Sequence, residues 1–211
     1  MNINIEDLHL IINKLEQEAI NNKKKLIKLD AALGDGDLGI TMVKAFSAAK
    51  NYMESYEEQD IGKALKNIGF EIANEAAATM GTIIASAFMK AGKSAACEKK
   101  LDYKDILDLT ELAIEGIKER GNAELGDKTI LDCLIPAYES FKQAYEKNKN
   151  LQEGLNEALI AAEKGVEKTT DMVSSHGRAH YYGEESKGKK DPGAVAALIF
   201  LKSINEYIQQ K

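Results

Sequence analysis

"KKKLIKLDAALGDGDLGITM", residues 23–42, decides between two folds. Its core, Gly34-Asp-Gly-Asp-Leu-Gly39, spells the G-x-G-x-x-G of a dinucleotide-binding loop in a parallel α/β sheet. That loop follows a buried strand and sets uncharged backbone against pyrophosphate. Here the preceding residues read as helix, and the loop carries Asp35 and Asp37, which repel phosphate. The α/β reading fails on both counts. An EF-hand fails too, because a loop starting at Asp35 places Phe46 where a bidentate glutamate is required. "AFMKAGKS", 87–94, misses a Walker loop, with Ala87 in place of the first glycine and no strand before it.

Outward from this stretch, helical periodicity dominates and strand signals are nearly absent, which predicts an all-α chain of about eight helices. Ile5, Leu8, Ile12, Leu15 and Ala19 form one stripe, and Leu134, Tyr138, Phe141 and Tyr145 another. A third helix opens at Asp102 as N-cap, with Asp105 three residues on, and carries Ile106, Leu109, Ala113 and Ile117. Leu151, Leu155, Ala158, Ala162 and Val166 make a fourth. Further helices are expected near 40–55, 60–77 and 81–96. After Asp191-Pro192, an N-cap acid and a first-turn proline, the chain is apolar nearly all round to Leu201, as in a helix sunk in the core. Pro136 falls inside a helical stripe and predicts a kink or local break. Residues 174–193, "SSHGRAHYYGEESKGKKDPG", form the longest loop, of a length that is usually functional or disordered.

The 211 residues suffice for a full core, and residues 1–211 are read as a single domain. A net charge of −6 argues against a nucleic-acid partner. No apolar run approaches the roughly 20 residues of a membrane span, and the N-terminus is unlike a secretory signal, so no membrane partner and a cytoplasmic location are expected. Cys97 and Cys133 form no C-x-x-C and are read as reduced thiols. With three scattered histidines, no zinc site is expected.

The acids of the opening stretch, Asp30, Asp35 and Asp37, lie on a helix end and the turn after it. Two carboxylates about 5 Å apart repel by roughly 3 kcal/mol at an effective dielectric near 20. Three of them therefore either splay into water or bind a cation, and hard oxygen donors suit Mg²⁺ together with phosphates. Three other segments have phosphate-binding character. Gly126-Asp-Lys-Thr129 opens a helix, whose N-terminus attracts anions. In "ATMGTIIAS", 78–86, Thr79 and Thr82 flank Gly81 at a helix start. Arg178, one of only two arginines among 28 basic residues, sits among the glycines of the long loop, where a guanidinium fork could grip phosphate. His176 and His180 beside it read as polar loop residues.

Taken in order, Asp30, "GDGD"-Leu-Gly, Met80-Gly81, "GDKT", "GRAHYYGEES" and "DPGA" resemble the nucleotide-binding L subunit of the dihydroxyacetone kinases, over essentially the whole chain. The resemblance implies a barrel of eight antiparallel helices with the nucleotide at one end. It implies that Asp30, Asp35 and Asp37 hold two Mg²⁺ ions bridging the phosphates of ADP or ATP. It further implies nucleotide contacts from Leu38, Gly39, Ile40, Thr41, Met80, Gly81, Gly121, Ile130, Arg178, Asp191, Pro192 and Gly193. Asp30, Asp35, Asp37 and Arg178 would carry phosphoryl transfer. The partners implied are a K subunit holding dihydroxyacetone and a phosphohistidine protein of the sugar phosphotransferase system; fused relatives use free ATP. Leu38 replaces the family's histidine, Thr41 its asparagine, Met80 its serine and Lys189 a second histidine. Two other readings stay open: a nucleotide-sensing module acting on a transcriptional regulator, and a kinase subunit for another small sugar or acyl substrate.

Overall fold

Eight α-helices carry the chain: α1 Ile5–Asp30, α2 Leu38–Glu54, α3 Ile61–Glu75, α4 Thr79–Ser94, α5 Tyr103–Gly121, α6 Leu131–Glu146, α7 Leu151–Lys168 and α8 Pro192–Gln210. The computed structural model describes every residue from Met1 to Lys211. The only strands are β1, Ile3–Asn4, and β2, Lys100–Leu101, antiparallel with Ile3 opposite Leu101. The all-α expectation holds, and no helix is long and apolar enough to cross a membrane. Contacts group the residues into two compact units, Met1–Ile20 with Thr41–Gly121, and Asn21–Ile40 with Asn122–Lys211.

In the first unit α3 packs on α4 and α4 on α5. Three residues join α3 to α4, so the two must run antiparallel. The stripe Ile5, Leu8, Ile12, Leu15 and Ala19 is buried throughout, as its spacing requires. Asp60 caps α3 by accepting from the Lys63 N–H at 2.8 Å. Asp102 accepts from the Asp105 N–H at 3.0 Å, while Asp105 accepts from the Asp102 N–H at 2.9 Å. This reciprocal pair fixes the start of α5, as the sequence predicts. The buried face of α5 is rotated from the expected one: Leu107, Leu109, Ile114 and Ile117 are inside, whereas Ile106 and Ala113 are half-buried.

In the second unit α6, α7 and α8 pack against one another. Asn150 and Glu153 form a complete capping box on α7. The start of α8 follows its sequence signal: Asp191 accepts from the Ala194 N–H at 2.7 Å, and Pro192 occupies the first turn. Residues 194–197 and Phe200 are buried, so the first half of α8 is sunk in the core. Of the kink or local break expected at Pro136, the break does not occur: α6 runs from Leu131 to Glu146 with Pro136 inside it. Pro136 leaves the Asp132 carbonyl without its helical donor. That carbonyl sits against Gly165 of α7, where a Cβ would overlap it. The two backbones approach closely there, and the small residues Ala137 and Ala144 turn inward while Tyr145 is left exposed, contrary to its place in the expected stripe.

Candidate functional site

Asp30 closes α1, and its Oδ2 accepts from the Leu38 N–H at 3.3 Å, joining the end of one helix to the start of the next. Between them the chain turns tightly, with the Leu33 N–H donating to the Asp30 carbonyl at 3.0 Å and the Leu33 side chain buried. The Asp37 carbonyl accepts from the Ile40 N–H at 3.0 Å in the first turn of α2. Gly39 rests against the backbone of α1, where any Cβ would collide with the Lys23 carbonyl oxygen. These constraints bring Asp30, Asp35 and Asp37 together, with one carboxylate oxygen from each lying within 4.8 Å of the others.

The acids do not splay apart. Partial burial pushes the Asp37 carboxyl above its ordinary range, and the charges of Asp35 and Asp30 add to this, while Arg178 opposes it. The Arg178 guanidinium reaches Asp35 at 2.9 Å. Three carboxylates thus face one cation, an excess of negative charge on an all-oxygen donor set. Hard divalent ions such as Mg²⁺ prefer that set, so the residues present fit the metal that the sequence implies.

Arg178 arrives on a segment that is more ordered than a long polar loop suggests. Arg178–Ser186 winds into 3₁₀ turns with a kink at Gly183. Ser186 is fully buried; its Oγ accepts from the Ser174 N–H at 3.0 Å and donates to the Gly183 carbonyl at 2.6 Å. Ser175 Oγ donates toward Asp127 Oδ1 at 2.9 Å. His176 is no idle loop residue: its Nε2 lies 2.8 Å from the Asn122 carbonyl and its Nδ1 3.6 Å from Asp127. His180 is exposed, its ring edge-on to Tyr181. Lys189, standing at the histidine position, extends its Nζ to the Ala32 carbonyl at 3.4 Å.

The Gly126–Thr129 stretch differs from its reading as an open anion site. Asp132 accepts from the Gly126 and Thr129 N–H groups, each at 2.7 Å, so a carboxylate already occupies the start of α6. Lys128, within this stretch, points inward and is 1% exposed. Nothing in the sequence marks it as interior, since a lysine between Asp and Thr reads as solvent-facing.

Of the expected nucleotide residues, Leu38, Gly39, Ile40, Ile130, Arg178, Asp191, Pro192 and Gly193 belong to the same unit as the three acids. Leu38, Gly39, Ile130, Pro192 and Gly193 are buried, whereas Ile40 is exposed. Asp191 is committed to its helix cap, and its own N–H donates to Thr169 Oγ1 at 3.0 Å. Burial raises the Asp191 carboxyl to about 7, reinforced by Asp132 and opposed by the cap hydrogen bonds and Lys128. The same surroundings push the Cys133 thiol to about 12, which leaves it inert. Both cysteines are free, as expected. Thr41, Met80, Gly81 and Gly121 belong to the other unit. There Thr41 and Gly81 are buried, and the start of α4, beside Met80 and Gly81, has no side-chain cap.

Fold and site define an all-helical protein whose acidic cluster is built by a helix end and the turn beyond it. The DAK2 domain family model matches residues 32–206, and the chain belongs to that family. It is 31% identical over 179 residues to the ADP-binding subunit DhaL of the PEP-dependent dihydroxyacetone kinase of Escherichia coli, covering 85% of each chain. Over 190 residues it is 31% identical to the corresponding subunit of kinase 1 of Listeria innocua, covering 90% of each. The fold matches the dihydroxyacetone kinase of C. freundii, solved with AMP-PNP and Mg²⁺, with a TM-score of 0.73 at 24% identity. That match covers 94% of this chain and 33% of the C. freundii chain.

Proposed function

We propose that this chain is the nucleotide-bearing subunit of a dihydroxyacetone-type kinase, a phosphotransferase that passes a phosphoryl group through bound ADP/ATP to a small hydroxyketone. The observation that carries this reading is the convergence of Asp30, Asp35 and Asp37 within 4.8 Å beside Arg178. The subunit names of its relatives agree with it. The three aspartates would hold two Mg²⁺ ions. Bound there, magnesium supplies positive charge against the phosphate oxygens. Arg178 contributes a planar fork of donors suited to the same oxygens. Phosphoryl transfer needs little beyond such positioning and charge stabilisation. Leu38, Gly39, Ile40, Thr41, Met80, Gly81, Gly121, Ile130, Asp191, Pro192 and Gly193 would contact the rest of the nucleotide. The acceptor would sit on a separate K subunit, and a phosphohistidine protein of the phosphotransferase system would recharge the nucleotide.

Calorimetry with ADP, with and without EDTA, tests the site. Binding should depend on Mg²⁺ and fall in Asp35→Asn, and equal affinity in all three cases would end the metal reading. Reconstitution tests the role. The purified chain should phosphorylate dihydroxyacetone only when the K subunit, the phosphohistidine protein and phosphoenolpyruvate are added. Turnover by the chain alone would contradict this division of labour. Binding without turnover in the full mixture would favour the nucleotide-sensing reading.

A further inference from the structure

Lys128 is a buried cation outside the acidic cluster, and its surroundings are specific. Its Nζ donates to the carbonyls of Met172 at 3.1 Å, Ser186 at 2.6 Å and Lys189 at 2.8 Å. Three acceptors match the three protons of an ammonium. All three belong to one segment, and they stand at its beginning, near its end and at its end. Two unfavourable terms accompany this arrangement. Burial disfavours the charged amine, opposed by Asp191 and aided by Lys189. The Lys128 backbone is also left-handed, with φ at 59°, a region costly for a side chain with a Cβ. Glycine or asparagine would suit that backbone better, so what the position gains from lysine is the ammonium.

We propose that Lys128 is a positioning residue for phosphate recognition: by clasping both ends of the 172–189 segment, it sets where Arg178 is presented to Asp35 and the phosphates. Ser175 and His176 fasten the first end of the segment to Asp127 and Asn122. At the base of the segment the Ser174 N–H reaches Ser186 Oγ and the Gly188 N–H reaches the Thr170 carbonyl, and Lys128 adds to these a side chain from outside that holds both ends at once. The outer turn with Arg178, 70% exposed at its side chain, has no comparable fastening beyond Asp35 itself. Fixing the base of a loop reduces the ordering cost that its tip incurs on binding.

The nucleotide arm of the test rests on the proposed function; the loop arm does not. In Lys128→Met, which keeps the stem and removes the charge, hydrogen exchange across 172–189 should rise at least tenfold without nucleotide while α7 and α8 stay protected. Mg-ADP affinity should fall about tenfold, the scale typical of groups that orient a ligand-binding side chain. The decisive comparison is with Arg178→Ala. If Lys128 acts through Arg178, the double variant should bind no more than about twofold more weakly than Arg178→Ala alone. A further tenfold loss in the double variant, or unchanged exchange in Lys128→Met, overturns the proposal. If wild type ignores Mg-ADP while the loop loosens as stated, the clasp stands and the nucleotide reading fails. Should Lys128→Met not fold, exchange in wild type decides instead. The Ser174 and Gly188 amides, which donate to Ser186 Oγ and the Thr170 carbonyl, should open together at one rate. Independent opening refutes the clasp.

Discussion

Replacing Asp191 by asparagine should flatten the pH dependence of stability between about pH 4 and pH 7. The Asp191 carboxyl is raised from 3.8 to about 7 in the folded protein, with burial as the largest cause. Between those values the folded state holds a proton that the unfolded state has released, so stability falls as pH rises. The penalty is absent below the unfolded value and complete above about pH 7. A shift of roughly three units corresponds to about 4 kcal/mol. Asparagine keeps an oxygen for the Ala194 N–H and caps helices about as well as aspartate, but it carries no charge. The loss of attraction toward Lys128 offsets part of its advantage. Urea unfolding of both proteins at pH 5, 6, 7 and 8, without nucleotide, measures the difference directly. The asparagine variant should gain on wild type at each step, by a total of about 2–4 kcal/mol. Parallel curves would show that Asp191 is ionised throughout and that the argument from burial is wrong.

Three further outcomes are expected. Arg178→Ala should weaken Mg-ADP binding about ten- to hundredfold by calorimetry, and Arg178→Lys by less, because lysine keeps the charge but loses the fork. Neither should lower stability by more than about 1 kcal/mol, since the pair with Asp35 is exposed. Gly165→Ala should lower stability by about 1–3 kcal/mol in urea unfolding, as its methyl group would meet the Asp132 carbonyl; an unaffected variant would mean that α6 and α7 separate easily. Mg-ADP should protect residues 178–186 from hydrogen exchange as Arg178 turns to the phosphates, and no added protection would leave this segment an ordinary surface turn.

What the sequence revealed follows from how local each signal is. Asp102 with Asp105, and Asp191 with Pro192, are caps written within four residues, and both form as read. The α1 stripe depends only on spacing, and it is buried in full. The misjudged positions lack such a local signal. Tyr145 lies outside because the buried face of α6 is centred on Ala137, Phe141 and Ala144, two of them alanines that a stripe drawn through the large apolar residues passes over. The inward turn of Lys128 was hidden because neither its left-handed backbone nor its carbonyl partners 44 to 61 residues away can be seen in "GDKT". The three acids were visible as a cluster; that Arg178, some 140 residues on, would meet Asp35 required the fold.

The contact of Gly39 with the Lys23 carbonyl has a consequence for how this family can vary. It anchors the two helices that bracket residues 31–37, so the connection spans a fixed gap with no slack. Adding or deleting one residue there would move Asp35 and Asp37 relative to Asp30 by more than a rotamer change could recover, since one residue of chain spans up to about 3.5 Å. The length of this turn is therefore held at both of its ends. Tolerance to insertion should instead collect in connections such as 55–60 and 147–150, where no acidic site depends on the spacing.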